Sequence, residues 1–229
     1  MKIAMWSGPR NLSTAMMYAF GNRKDFTVWD EPFYAAYLKS TGIDHPARED
    51  VLLQHETDPN LVSNRIANET GNLFLKLMSF HMCPGFPFDW AEHCVHAHLI
   101  RHPARVVASY VVKRENPNLL DIGFEQQLAL YERFPGPVID TAEVRKNPEK
   151  TLISLCSNLG IKFDVAMLSW PKGPKPFDGA WASHWYNAVH ESTGFAGAEG
   201  PLPNLDSDAT KLVEQAMPFY ERLREVAIT

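Results

Sequence analysis

The chain has 229 residues, 45% apolar and 21% charged, with a formal net charge of −5 at neutral pH. That length and apolar share predict one folded domain over residues 1–229 and exclude a disordered chain. The acidic balance excludes a protein that coats nucleic acid, but it leaves room for a few convergent cations that grip a small anion.

From the amino terminus onward, apolar runs alternate with amphipathic stretches, the pattern of a parallel α/β sheet. Strands are predicted at residues 2–7, 26–30, 73–78, 95–101 and 137–140. Helices are predicted at 13–21, 103–114, 123–134, 148–159 and 208–226. Pro103 and Pro148 are placed to open two of them, since a first-turn proline gives up no internal hydrogen bond. Residues 33–70 lack a strand pattern and read as a helical insertion after the second strand. Residues 170–205, rich in Pro, Gly and Trp, read as an ordered surface loop. The expected fold is an α/β parallel sheet of about five strands flanked by helices. Ligands of such sheets sit beyond the carboxyl ends of the strands, so the polar residues just after each strand are the ones to read for chemistry.

Cys83, Cys94 and Cys156 are odd in number and scattered, which predicts neither a disulfide framework nor a zinc site. No window holds the roughly 18–20 apolar residues of a membrane span. The chain runs almost directly into Ile3-Ala4-Met5-Trp6, with no secretory pattern. A cytoplasmic protein with no membrane or nucleic-acid partner is expected.

Ser7-Gly8-Pro9-Arg10-Asn11-Leu12-Ser13-Thr14 joins the first strand to the first helix. Gly8 is expected to permit an unusual turn, while Ser13 and Thr14 put hydroxyls and orphan N–H groups at a helix start, a ready anion site. Arg10 adds a planar charged fork suited to phosphate or sulfate oxygens. The Walker A lysine is missing, so this is not that loop. Further on, Leu99-Ile100-Arg101-His102-Pro103 leaves a strand for a proline-started helix that carries Ser109. Arg101 at the strand end and Ser109 about two turns along could flank one anion.

The stretch 9–14 resembles the 5′-phosphosulfate loop of sulfotransferases, Pro-Lys/Arg-Ser-Gly-Thr/Ser-Thr, departing from it at Asn11 and Leu12. Arg101 to Ser109 resembles that family's 3′-phosphate segment, Arg-x-Pro-x-x-x-x-x-Ser. Lys172-Gly173-Pro174-Lys175 through Asp178-Gly179-Ala180-Trp181 resembles a loosened form of the Lys-Gly-x-x-Gly-Asp-Trp loop that closes over the nucleotide. Met-Leu-Ser-Trp-Pro at 167–171, Trp185-Tyr186 and His-Glu-Ser-Thr-Gly-Phe at 190–195 resemble the tail of a bacterial sulfotransferase-like subfamily. The resemblance implies a P-loop-type fold and 3′-phosphoadenosine 5′-phosphosulfate (PAPS) as donor, with no metal. It implies that Gly8, Pro9, Arg10, Asn11, Ser13 and Thr14 hold the phosphosulfate, with Arg10 on the sulfonate. Arg101, Ser109, Lys172 and Lys175 would hold the 3′-phosphate.

Sulfuryl transfer to a hydroxyl or amine requires a base. Glu31 follows the second strand in Trp29-Asp30-Glu31-Pro32, and Pro32 predicts an extended Glu31. His81 follows the third strand and is the competing base, with Lys76 as an electrophilic aid and Asp30 as a group that orients a neighbour. Phe33, Tyr34, Tyr37 and Phe80 are placed to wall an acceptor pocket for a small molecule or glycan-like compound. Trp181, Trp185 and Tyr186 read either as site wall or as core. His93, His96, His98 and His102 sit in no metal-binding frame. Two other functions compete: a P-loop phosphotransferase, opposed by the absent Walker lysine, and a non-catalytic nucleotide-binding module, favoured by Leu12.

Overall fold

Strand β1 (Lys2–Ser7) is buried from Ile3 onward, and strand β3 (Leu73–Met78) is buried throughout. Strands covered on both faces belong in the middle of a parallel sheet. The computed structural model describes residues 1–112 and 117–228, and it places them there. The sheet order is β2 (Thr27–Asp30), β3, β1, β4 (Val95–Ile100), β5 (Val138–Asp140), with every neighbouring pair parallel. Each strand lies within one residue of its predicted ends.

Side-chain alternation divides the core. Ile3, Met5, Phe74, Leu99 and Ile139 pack on one face against helix α1 (Ser13–Gly21), while Ala4, Trp6, Leu73, Leu75 and Leu77 face Trp90 and Phe134 on the other. The insertion after β2 is helical as predicted, in three pieces: α2 (Tyr34–Thr41), α3 (Arg48–Gln54) and α4 (Pro59–Asn68). Helix α5 (Pro103–Val111) does open on Pro103, and the predicted residues 113 and 114 lie outside the described chain. Next come α6 (Leu119–Ile122) and α7 (Phe124–Arg133). After β5, helix α8 (Thr141–Lys146) was not anticipated. It starts because Asp140 caps it, accepting from the Ala142 N–H at 2.9 Å. It stops at Asn147, which in turn caps α9 (Pro148–Asn158). The 170–205 loop carries two short helices, α10 (Ala182–Trp185) and α11 (Asn187–His190), before the terminal α12 (Ser207–Glu225). Among the described residues no helix is long and apolar enough to cross a membrane.

Burial also explains the histidines. His96 Nδ1 accepts from Trp6 Nε1 at 3.0 Å, so its proton sits on Nε2, 2.9 Å from the Ala91 carbonyl. His98 Nε2 lies 2.9 Å from the Phe134 carbonyl, and burial pulls its pKa down to about 4. Both rings are neutral core members. Among the described residues no group of three or more His, Cys, Asp or Glu side chains is placed to hold a metal.

Gly8 is fixed by close approach. A Cβ there would stand 2.7 Å from the Ile122 carbonyl of α6, a backbone atom with little freedom to retreat. Gly8→Ala should therefore cost about 1–3 kcal/mol in urea unfolding. An unchanged midpoint would mean that α6 yields to the methyl group.

Candidate active site

The site opens at the carboxyl edge of β1. Beyond Gly8 the chain turns through Arg10 (φ 60°) and Leu12 (φ 63°), left-handed conformations that cost a non-glycine residue about 1–3 kcal/mol each. The unusual turn expected at Gly8 thus falls on these two residues. Asn11 anchors the loop: it is 1% exposed, and its Nδ2 donates to the Leu99 carbonyl at 3.2 Å. The Gly8 N–H donates to Gln127 Oε1 at 3.1 Å. Helix α1 starts at Ser13 without a side-chain cap bond, so its first-turn N–H groups face outward with the positive end of the helix dipole. They face a cavity of about 330 Å³ that Pro9, Arg10, Ser13 and Thr14 line. Burial and the charge of Arg101 lower the Arg10 pKa from its usual value.

On the β2–β3 side of the same cavity is an ionic cluster. Lys76 lies inside β3 with its side chain 1% exposed, directly across from Asp30 in the β2 register. Its ammonium donates to Asp30 Oδ1 at 2.9 Å, to Tyr186 Oη at 2.5 Å and to Glu31 Oε1. Burial alone would lower its pKa; the Asp30 and Glu31 carboxylates outweigh burial and hold it above the usual lysine value. Asp30 also accepts from Tyr186 Oη (2.8 Å) and from the Gly179 N–H (3.1 Å). Burial drives the Glu31 pKa up against the pull of Lys76, and Asp30 adds to the rise. The predicted extended Glu31 is corrected. Its φ is 41°, because its N–H donates to the Lys76 carbonyl at 2.9 Å while its carboxylate turns toward the Lys76 ammonium.

His81 closes this group on a 3₁₀ turn, Ser79–His81. Its ring stacks between Tyr34 (4.6 Å between centroids) and Tyr37 (4.8 Å), and its Nδ1 lies 3.8 Å from Glu31 Oε2. Burial, then the neighbouring His45 and Lys76, press its pKa well below the usual histidine value, so the ring is neutral. Of the four aromatic residues expected to wall the acceptor pocket, Tyr34 and Phe80 line the cavity, Tyr37 backs His81, and Phe33 stacks on Trp90 in the core.

At the far end, Arg101 lines the cavity and donates from Nη1 to the Arg10 carbonyl at 2.8 Å. Ser109 Oγ accepts from Arg10 Nε at 2.8 Å, so Ser109 meets the first loop through Arg10. Arg101 is also paired to Glu199, with Nη2 2.5 Å from Oε1. Lys172 and Lys175 stand apart from these residues. Lys172 pairs with Glu191 at the surface, and the Lys175 ammonium is taken by the Pro171 and Gly173 carbonyls beside the Tyr18 ring. Their loop packs along α1 because Asp178 accepts from Tyr18 Oη at 2.7 Å and Phe177 lies against Gly21. Its Gly179–Trp181 end supports Asp30 and Tyr186 instead of covering the cavity.

Sequence reasoning missed Tyr186 as a hub of the ionic cluster and did not anticipate Glu199. The Trp185-Tyr186 pair was a signal for the first; nothing local marked the second.

The full chain matches the model of the sulfotransferase domain family over residues 1–227. Branched-chain-amino-acid aminotransferase-like proteins 1 and 2 of Arabidopsis thaliana are each 37% identical over 235 aligned residues, covering 97% of this chain and 41% of theirs. The chain thus spans about two fifths of the length of these curated relatives. Among solved structures, the sulfotransferase domain from the curacin biosynthetic pathway superposes with a TM-score of 0.56 at 16% identity, covering 94% of this chain and 96% of that one. The sulfotransferase from Alicyclobacillus acidocaldarius gives 0.55 at 10% identity, covering 97% and 94%. These two likenesses are of fold. With a family match over nearly its whole length, this chain belongs to the sulfotransferase domain family.

Proposed function

We propose that this chain is a cytoplasmic sulfotransferase that uses PAPS to sulfate a hydroxyl or amine of a small-molecule or glycan-like acceptor. The observation that carries the proposal is the single cavity joining three features: the α1 start with Arg10, the Glu31–Lys76–His81 cluster, and Arg101. The carboxylate already seated on Arg101 supports the fit, since it marks that guanidinium as a site for an anionic oxygen. The unpaired thiols Cys83, Cys94 and Cys156 favour a reducing compartment.

PAPS, when bound, supplies the sulfuryl group and departs as adenosine 3′,5′-bisphosphate (PAP). Arg10, Ser13, Thr14 and the first N–H groups of α1 would hold its 5′ end, and Arg101 its 3′-phosphate. Fixed donors at these places meet charge as it develops, without reorganising. Glu31 takes the acceptor's proton on Oε2, since Oε1 is engaged by Lys76. Its side chain is 10% exposed, against 3% for His81, so Glu31 is the more open of the two candidate bases. Its raised pKa makes it a stronger base than an ordinary glutamate. His81 holds its place beside it. Tyr34, Phe80 and Trp185 give the acceptor an apolar wall.

Three outcomes test this reading. In thermal-shift titration PAP should stabilise the protein far more than AMP, by about 2.7 kcal/mol at 100 times its Kd, and ATP–Mg²⁺ should do little. Arg101→Ala should weaken PAP by about 2–4 kcal/mol while leaving AMP nearly unchanged. Equal shifts with PAP and AMP would remove the 3′-phosphate assignment.

Once a mass-spectrometric acceptor screen has found a sulfuryl mass gain, Glu31→Gln should lower turnover about 10²–10⁴-fold while PAP still binds. His81→Ala should cost much less. The reverse order would make His81 the base, and transfer to no acceptor would leave a binding module.

Turnover should also fall as pH drops through the Glu31 pKa, which lies above the ordinary value of about 4.3 because burial disfavours the ion. The depressed His81 pKa moves toward the same window from above, so the mutants assign the limb: it should vanish in Glu31→Gln and persist in His81→Ala.

A further inference from the structure

Three arginines from three elements converge on one carboxylate. Glu199 Oε1 lies 2.5 Å from Arg101 Nη2 and 2.9 Å from Arg145 Nη1, and Oε2 lies 2.8 Å from Arg105 Nε. Arg101 follows β4, Arg105 is in α5 and Arg145 in α8. Burial would raise the Glu199 pKa, but the three guanidiniums outweigh it and keep the carboxyl below the usual range, hence ionised. Its side chain is only 5% exposed, although Ala198, Gly200 and Leu202 around it are exposed.

The segment that carries Glu199 has no helix or strand. Its ends are anchored: Phe195 packs edge-on against Trp170 at 5.2 Å, and Leu205 packs under α12. Between them the same arginines are the holdfast, since Arg145 Nε donates to the Gly197 carbonyl at 2.8 Å and Arg105 to the Gly200 carbonyl. One carboxylate for three guanidiniums leaves a positive excess. Arg10 lies next to it, its carbonyl bonded to Arg101 and its own pKa lowered in part by that charge. A phosphate dianion, with three acceptor oxygens and twice the charge, matches such a site better than a carboxylate does.

We propose that residues 196–204 form a latch in which Glu199 stands in for the nucleotide 3′-phosphate, closing on Arg101, Arg105 and Arg145 when that phosphate is absent and yielding to it when it binds. The proposal rests on the reading of the cavity as a PAPS site. Because Ala196 lines that cavity, release of the latch also moves part of its wall, coupling donor binding to the space left for an acceptor. An internal competitor lowers apparent affinity by the fraction of molecules in which the latch is open.

Isothermal titration of PAP into the wild-type protein and Glu199→Gln tests the idea, alongside hydrogen exchange of the wild-type protein with and without PAP. Glu199→Gln should bind PAP about tenfold more tightly, with AMP affinity changed less than twofold. In the wild-type protein PAP should speed amide exchange within 196–204, a readout that needs no variant. Weaker or equal PAP binding by Glu199→Gln, or slower exchange in that segment, overturns the latch and leaves the donor assignment standing. If PAP binds neither protein, the donor assignment fails and the latch with it.

Discussion

A lysine ammonium inside a sheet is tolerable only if its charge is met on the spot, and Lys76 imposes that condition on everything around it. Removing one partner of a buried pair costs about 3–5 kcal/mol, because it strands a charge away from water. Asp30 meets Lys76 across the β2–β3 register, and Glu31 meets it one residue further on. Two carboxylates on one ammonium leave a net negative charge, which Tyr186 and the Gly179 N–H help to disperse by donating to Asp30. Both groups come from the 170–205 loop between α9 and α12, so docking of that loop follows from the charge buried in β3.

The same condition underlies the division of labour proposed for the two candidate bases. A base must become charged or lose its charge in contact with the acceptor, so it needs an edge open to the cavity. His81 is clamped between two tyrosine rings near a lysine, an environment that opposes an imidazolium. Glu31 has one oxygen fixed by Lys76 and the other directed toward His81 and the cavity. Protonating Glu31 removes one of the two negative charges that crowd Lys76, so the burial that makes Glu31 basic also lets it carry the proton.

Much of this was legible in the sequence wherever the cause was local. Apolar runs located β1, β3, β4 and β5 because a strand buried on both faces has little choice of composition, and the shorter, partly exposed edge strand β2 was found by its own run. Arg10, Ser13, Thr14, Glu31, Lys76, His81 and Arg101 were singled out because each follows or lies in a strand whose end faces the ligand edge, and the cavity brings these seven together. The conformations of Gly8 and Glu31 were misjudged because their causes lie far along the chain, in the Ile122 carbonyl and the Lys76 ammonium. Lys172 and Lys175 fit a motif by spacing, but Asp178 and Phe177 pin their loop to α1. Glu199 was illegible for the same reason: it contacts Arg101 across 98 residues, and nothing adjacent to it in sequence marks an anion site.

The two cationic regions beside the cavity therefore differ in kind. At the α1 end positive character comes mainly from backbone N–H groups and one arginine, a cradle that suits an ester phosphate and a transferring group whose charge shifts during reaction. Beside Arg101, the one guanidinium of its group that lines the cavity, Arg105 and Arg145 gather on the same carboxylate, a cationic group that suits a phosphate keeping its charge throughout. On the proposed reading, binding energy at Arg101 is spent on position, since nothing there changes charge during the transfer. The acidic cluster lies on the β2–β3 side of the α1 loop and Arg101 on its β4 side, so on the proposed reading a nucleotide held by both cationic regions keeps its 3′ end away from the carboxylates. On the proposed reading, selection for a doubly phosphorylated nucleotide comes from these two separate cationic regions, each of which meets one of its phosphates.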